Sequence, residues 1–154
     1  MGATLKHVAG RQGSTLARRL QKIRTACSRS YVVAGYIAGV STPAAIAKAY
    51  KNEFGAGRTS DLDKPMPARP FMAMAIPDIA YAMRKSLPAF HVEQPEEFLA
   101  SAGAVMANGI RESIDLGGFR PNAPYTLSQK RGDKPLVDSG EMQAEAAFQV
   151  RATA

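Results

Sequence analysis

The run KPLVDSGE, residues 134 to 141, places Asp138, Ser139 and Glu141 close together. A carboxylate beside a hydroxyl is raw material for nucleophilic catalysis. Ser139 would still need a base to take its proton and a third group to orient that base. His7 and His91, the only histidines, stand in no recognisable motif. The same residues also have an architectural use. Asp138 and Glu141 stand at the N-cap and N3 spacing of a capping box, with Asp replacing the usual Ser or Thr. The Asp138 carboxylate would accept the orphan amides of a first helical turn, Glu141 would reach back, and Gly140 would let the chain turn tightly. The expectation is therefore a structural turn without a catalytic residue.

Other chemical signals are weak. The GAG at residues 55 to 57 lacks the strand, third glycine and downstream acid of a dinucleotide fingerprint, and no Walker lysine motif is present. Cys27, the single cysteine, excludes an internal disulfide, and two histidines with one cysteine give no zinc spacing. The methionines lie mostly in apolar stretches, where core packing explains them. Tyr31 and Tyr125 lie near basic residues and could stack on bases, but no nucleic-acid module accompanies them. The reading is a non-enzyme with no cofactor and no metal.

The elements that must hold these residues follow from periodicity and punctuation. Ser14 can cap a helix to about Cys27, with Leu16, Leu20, Ile23 and Cys27 on one face and Arg18, Arg19 and Lys22 on the other. Residues 28 to 39, SRSYVVAGYIAG, change to period two: Tyr31, Val33 and Ile37 face one way, Val32 and Tyr36 the other. Pro43 opens a helix that Gly55 closes. Residues 56 to 64 form a polar, glycine-rich loop. Three prolines in residues 65 to 70 forbid a helix and make a rigid extended lead-in. The run from Phe71 to Ile76 suits either a strand or a helix, with Pro77 and Asp78 opening a short helix to about Leu87. Pro95, Glu96 and Glu97 then begin the strongest helix, which Gly117 ends. Its apolar residues Phe98, Leu99, Ala102, Val105, Met106, Gly109, Ile110 and Ile114 trace one face. Phe148 and Val150, at period two, mark a final strand.

At 154 residues, with 45% apolar and 21% charged residues, the chain has the size and composition of one folded domain. No apolar run reaches the roughly 20 residues that cross a bilayer. The fold class expected is α+β, a small antiparallel sheet against two to four helices in a single domain over residues 14 to 154, with a flexible basic arm at 1 to 13. The net charge of +7 resides wholly in the first 30 residues, which hold seven basic groups and no acid. That start suits a solvated or protein-docking helix face, an arm for nucleic acid, or an organellar transit peptide. Lys6 stands where a myristoylation signal needs Ser or Thr.

Two blocks, AYKNEFGAG…PMPARPFM at residues 49 to 72 and RPNAPYTLSQKRGDKPLVDSGEMQAEAAFQV at 120 to 150, resemble the phage virion-morphogenesis, tail-completion and neck proteins of Mu-like and related long-tailed phages. Glu53, Phe54 and Gly55 match a glutamate-phenylalanine-glycine segment of that family. Pro67, Arg69, Pro70 and Phe71 match its proline-arginine-proline-phenylalanine turn. Thr126, Leu127, Lys130, Lys134, Pro135, Leu136, Val137, Asp138 and Gly140 match a stretch before its last strand. Met142 and the AEAAF that follows depart from the family's usual leucine and serine-isoleucine pair.

The resemblance implies a structural virion protein at the neck or tail end, assembled in the host cytoplasm. Copies would form a ring, hexameric or dodecameric, joining the tail tube to the head connector. Tail-tube or sheath proteins and connector proteins would be its neighbours, DNA would lie close in the lumen, and no membrane would be involved. Ring closure needs one patch of each subunit to meet a different patch of the next. The expected patches are Arg18, Arg19 and Lys22 on the N-terminal helix, and Pro67, Arg69, Pro70 and Phe71 in the lead-in. Gly55, Asp138, Gly140 and Glu141 are expected to be structural caps. The contrasting expectation is a nucleic-acid-binding module that uses the basic first 30 residues.

Overall fold

Thr42 and Pro43 illustrate how local chemistry sets the elements. Thr42 is extended, and its hydroxyl accepts from the Ala45 amide at 3.2 Å, while Pro43 occupies the first turn, where no amide is needed. The helix so begun, α1, is Pro43–Phe54. A computed structural model describes residues 17–18, 20–22, 24–25, 28–57, 65–86, 94–130 and 132–153. In it β1 is Ser30–Gly35, and after α1 come α2 (Phe71–Ser86), α3 (Pro95–Leu116), α4 (Pro124–Gln129), α5 (Glu141–Ala144) and β2 (Ala147–Ala152). The fold is α+β.

The two strands come from opposite ends of the chain. They pair antiparallel, from Ser30 opposite Ala152 to Gly35 opposite Ala147. The Thr153 amide donates to the Arg29 carbonyl at 2.8 Å and so extends the ladder. A two-stranded sheet is marginal alone. Here α3 lies against both strands. Gly103 makes the approach possible, because a Cβ there would run into Phe148 and Val32. Gly109 likewise leaves room for Ile79 where α3 packs on α2.

The core forms where these layers meet: Ala49, Phe71, Ala75, Ile110, Ile114, Phe119, Met142 and Ala146. Phe71 and Ile114 are fully buried, and Tyr36 stands edge-on to Phe71 with ring centroids 6.0 Å apart. The apolar face expected of α3 is the face it buries. Leu99, Ala102, Ile110 and Ile114 are buried, while Phe98, Val105, Met106 and Gly109 are half-buried.

Several expectations need correction. Pro77 does not start a helix but lies inside α2, which begins at Phe71. Pro77 and Ala73 are both exposed, so the Ala73 carbonyl that loses its intrahelical donor can meet water instead. β1 ends at Gly35, whose φ of 137° breaks the strand, so Ile37 does not continue its face. Ile37 is buried instead in the following turn, its amide donating to Ser41 Oγ at 3.1 Å. The single-turn helices α4 and α5 bring the helices above the expected two to four. The described residues among 17 to 29 are helical, past the expected end at Cys27, and all are exposed, Leu20 included. Residues 1 to 16, Arg19, Ile23, Cys27 and most of the 56 to 64 loop lie outside the described residues. The ends of that loop are pinned by paired hydrogen bonds between Ala56 and Met66, at 3.1 and 2.9 Å.

Candidate functional site: a proline-walled cationic groove

Arg69 organises a concave surface. Its backbone amide donates to the Asn52 carbonyl at 2.6 Å, anchoring residues 65 to 70 to α1. Its side chain, only 7% exposed, donates from Nε to the Arg120 carbonyl at 3.0 Å. Nη2 donates to the Pro121 carbonyl and to Asn122 Oδ1, both at 3.3 Å. One guanidinium therefore ties the lead-in to the segment that opens α4. All of these acceptors are neutral. Burial, reinforced by the nearby Arg120 charge, pushes the Arg69 pKa down.

Beside this anchor lies an open groove of about 1030 Å³, walled by Pro65, Pro67, Pro121, Pro124 and Tyr125 and closed at one end by α5. Lys130, half-buried, reaches the Lys134 carbonyl with Nζ at 3.0 Å. Its pKa is lowered, first by burial; Asp138 opposes this and Arg69 adds to it. Lys48 at the α5 end pairs with Glu141 at 2.6 Å, and that hydrogen bond and charge raise the Lys48 pKa.

The capping box is not formed. The N-cap of α5 is Gly140, in a left-handed conformation at φ 78°, ψ −4°, and no side chain caps the helix through it. Ser139 Oγ accepts weakly from the Glu141 amide at 3.4 Å, while Glu141 turns outward to Lys48 instead of back to the turn. Asp138 is exposed and makes no hydrogen bond among the described residues. The physical reason is the turn itself. A positive φ, cheap only for Gly140, carries the chain into α5 and leaves Asp138 outside the first turn. No histidine or cysteine lines the groove among the described residues, and none of these holds a group of three metal-binding side chains. His7, Cys27 and His91 lie outside them.

A cap missed in the sequence stands one helix away. Glu53 on α1 is 7% exposed, and its carboxylate accepts from the Met72 and Ala73 amides at 2.9 and 3.1 Å. Those are orphan amides of the first turn of α2, held by an acid from another helix. Gly55 then ends α1 with φ 78°, and a Cβ there would lie 2.8 Å from the Met66 carbonyl oxygen. Its signal was a lone acid at the end of a helix, where the macrodipole disfavours it unless another partner is supplied.

The lead-in exposes only part of the interface patch expected of it. Phe71 is wholly buried and Arg69 nearly so, Pro67 is half-buried, and only Pro70 is exposed. Arg69 and Phe71 face inward because Phe71 is the largest fully buried side chain and begins α2 inside the core. On the N-terminal helical stretch Arg18 and Lys22 are exposed. Arg19 lies outside the described residues.

Comparison with protein-family models, curated proteins and solved structures finds no match for this chain. Its own geometry nevertheless brings together the two blocks that carry the family resemblance. Pro67 and Arg69 from the first block, and Lys130, Leu136, Asp138 and Gly140 from the second, line the same groove. Leu136 holds a positive φ of 66°, a conformation that costs a non-glycine residue about 1 to 2 kcal/mol.

Large apolar side chains are exposed elsewhere on two different helices. On α1, Tyr50 and Phe54 are 64% and 66% exposed and stack on each other with centroids 5.0 Å apart. On α2, Met74, Ile76 and Tyr81 are exposed. No described helix is long and apolar enough to cross a membrane.

Proposed function

We propose that this chain is a structural subunit of a tailed-phage virion, a tail-completion, tail-terminator or neck protein whose copies close into a ring between tail tube and head connector. One observation carries the reading: the two-stranded sheet leaves both of its edges unpaired among the described residues. In an antiparallel pair, hydrogen-bonded and non-bonded residue pairs alternate. The bond from Thr153 to Arg29 fixes the phase. Val32 and Ala34 therefore turn their N–H and C=O groups out at one edge, and Phe148 and Val150 do so at the other. Neither strand carries a proline or lysine to blunt its edge. The two edges differ in sequence, as the two surfaces of a head-to-tail contact must, and a ring is the closed form of such a contact. The exposed apolar side chains on α1 and on α2 add two more unlike surfaces.

The mass of the full-length protein tests this, measured by light scattering alone and after mixing with purified tail tubes. A ring mass in either sample supports the reading. A chain that stays monomeric in both overturns it. A nucleic-acid role has its own observation in its favour, since Arg18, Lys22, Arg24 and Arg29 are exposed on helical backbone. Duplex binding that falls steeply with added salt, and disappears when residues 1 to 29 are deleted, would establish that role.

A further inference from the structure

We propose that the groove between residues 65 to 70 and α4 binds an extended acidic peptide segment of another protein, with a peptide carboxylate held between Arg120 and Lys130 beside the Arg69 guanidinium. This goes beyond the ring reading and does not require it, since every contributing residue belongs to one chain.

The charge pattern comes first. The ion pairs among the described residues are Lys48–Glu141 and Lys134–Asp115. Arg69, Arg120 and Lys130 all line the groove, and none forms an ion pair with a carboxylate among the described residues. They are near enough to disfavour one another's charge, Arg120 acting on Arg69 and Arg69 on Lys130. Asp138 and Asp133 offset part of this at Lys130, and the remaining repulsion is relieved when a further anion arrives.

Arg69 sharpens the picture. A guanidinium carries five N–H donors, and the bonds of Arg69 leave from Nε and Nη2. Nη1 has no partner among the described residues, yet no side-chain nitrogen or oxygen is both buried and unsatisfied. Its N–H groups therefore keep contact with solvent, and the residue lines the groove. The guanidinium is held rigidly by three bonds on its other side, so little order remains to be lost on binding.

The walls select a peptide over a nucleic acid. Prolines and Tyr125, together with Leu136 and Met142, offer stiff apolar surface of the kind that receives extended chains. Asp138 and Glu141 lie on the same lining. Asp138, which is exposed and makes no hydrogen bond among the described residues, can accept from the N–H groups of a peptide backbone, whereas the phosphate backbone of a nucleic acid presents acceptors only.

Fluorescein-labelled hexaglutamate, titrated by anisotropy into the full-length protein, tests the proposal against hexaglutamine and a short DNA duplex. The expected result is saturable hexaglutamate binding, with hexaglutamine about tenfold or more weaker, the worth of one charge-assisted hydrogen bond. Arg120→Gln removes an exposed guanidinium that makes no bond of its own, so the fold is kept. It should weaken hexaglutamate about tenfold, and Arg120→Glu should abolish binding. Arg18→Gln should leave binding unchanged, which separates the groove from the basic N-terminus. Absence of hexaglutamate binding, indifference to Arg120→Gln, or displacement of the peptide by duplex DNA would each overturn the proposal.

Discussion

Replacing Glu53 by alanine should unseat the N-terminus of α2, although Glu53 belongs to α1. The carboxylate holds the Met72 and Ala73 amides at 2.9 and 3.1 Å and is itself almost fully buried. A hydrogen bond to a charged group contributes about 1.5 to 3 kcal/mol. Ala73 is exposed, so water can replace one of the two bonds, whereas Met72 is half-buried and its amide would be poorly hydrated. The expected loss is therefore nearer one full bond plus the favourable dipole contact, about 3 kcal/mol. For a chain of this size that is a fall of roughly 6 to 12 °C in Tm. Glu53→Gln keeps one acceptor oxygen and loses the charge, so about half of that fall is expected. Thermal unfolding followed by circular dichroism reads both variants. Lys48→Ala, which breaks the exposed ion pair between α1 and Glu141 of α5, serves as the control and should shift Tm little. If Glu53→Ala melts within 2 °C of the parent, the carboxylate is not holding α2 and the reasoning fails.

Gly103→Ala gains about 1 kcal/mol of helix propensity yet must push Phe148 and Val32 off α3, so a net loss of about 1 to 2 kcal/mol in urea unfolding is expected. Tyr36 donates its hydroxyl to the Met142 carbonyl at 2.6 Å, and burial pushes its pKa well above the ordinary 10.0. Above pH 10 the unfolded chain then releases a proton that the fold retains, so stability falls as pH rises through that value; Tyr36→Phe should remove this part of the fall while lowering stability at neutral pH. Asp138→Ala should change urea stability by less than about 0.5 kcal/mol, because the residue is exposed and caps nothing, whereas Gly140→Ala should cost about 1 kcal/mol at its left-handed φ.

How much of this was legible in the sequence depends on whether the deciding partner lay nearby. α1 and α3 were legible because their signals are local: Pro43 and Pro95 in the first turns, Gly55 and Gly117 past the ends, and apolar residues at helical spacing between them. The strands were legible as period-two runs, but their pairing joins residue 30 to residue 152, and nothing in either run names its partner. Pro77 misled because the cost of a proline inside a helix is lessened where the freed carbonyl meets water, and which face of α2 is exposed depends on packing against α3. Asp138 and Glu141 have the spacing of a capping box, but spacing does not report the sign of φ at Gly140.

The groove was the least legible feature, and for the same reason in stronger form. Its cations are remote in sequence, Arg69 being separated from Arg120 by two helices and from Lys130 by three. What joins them is the burial of Phe71. Once that ring begins α2 inside the core, Arg69 is drawn in behind it, and a guanidinium taken out of water must find acceptors. The nearest are carbonyls of the segment after α3, which can be reached only because Phe119 is buried against the same core. The hydrogen bonds of Arg69 then fix residues 120 to 122 alongside the lead-in, and Pro124 starts α4 from that position. An apolar side chain at position 71 thus determines where a charge-bearing wall stands more than fifty residues later. The spacing of Arg69, Arg120 and Lys130 along the chain is thus set by the core, and the groove they line follows from it.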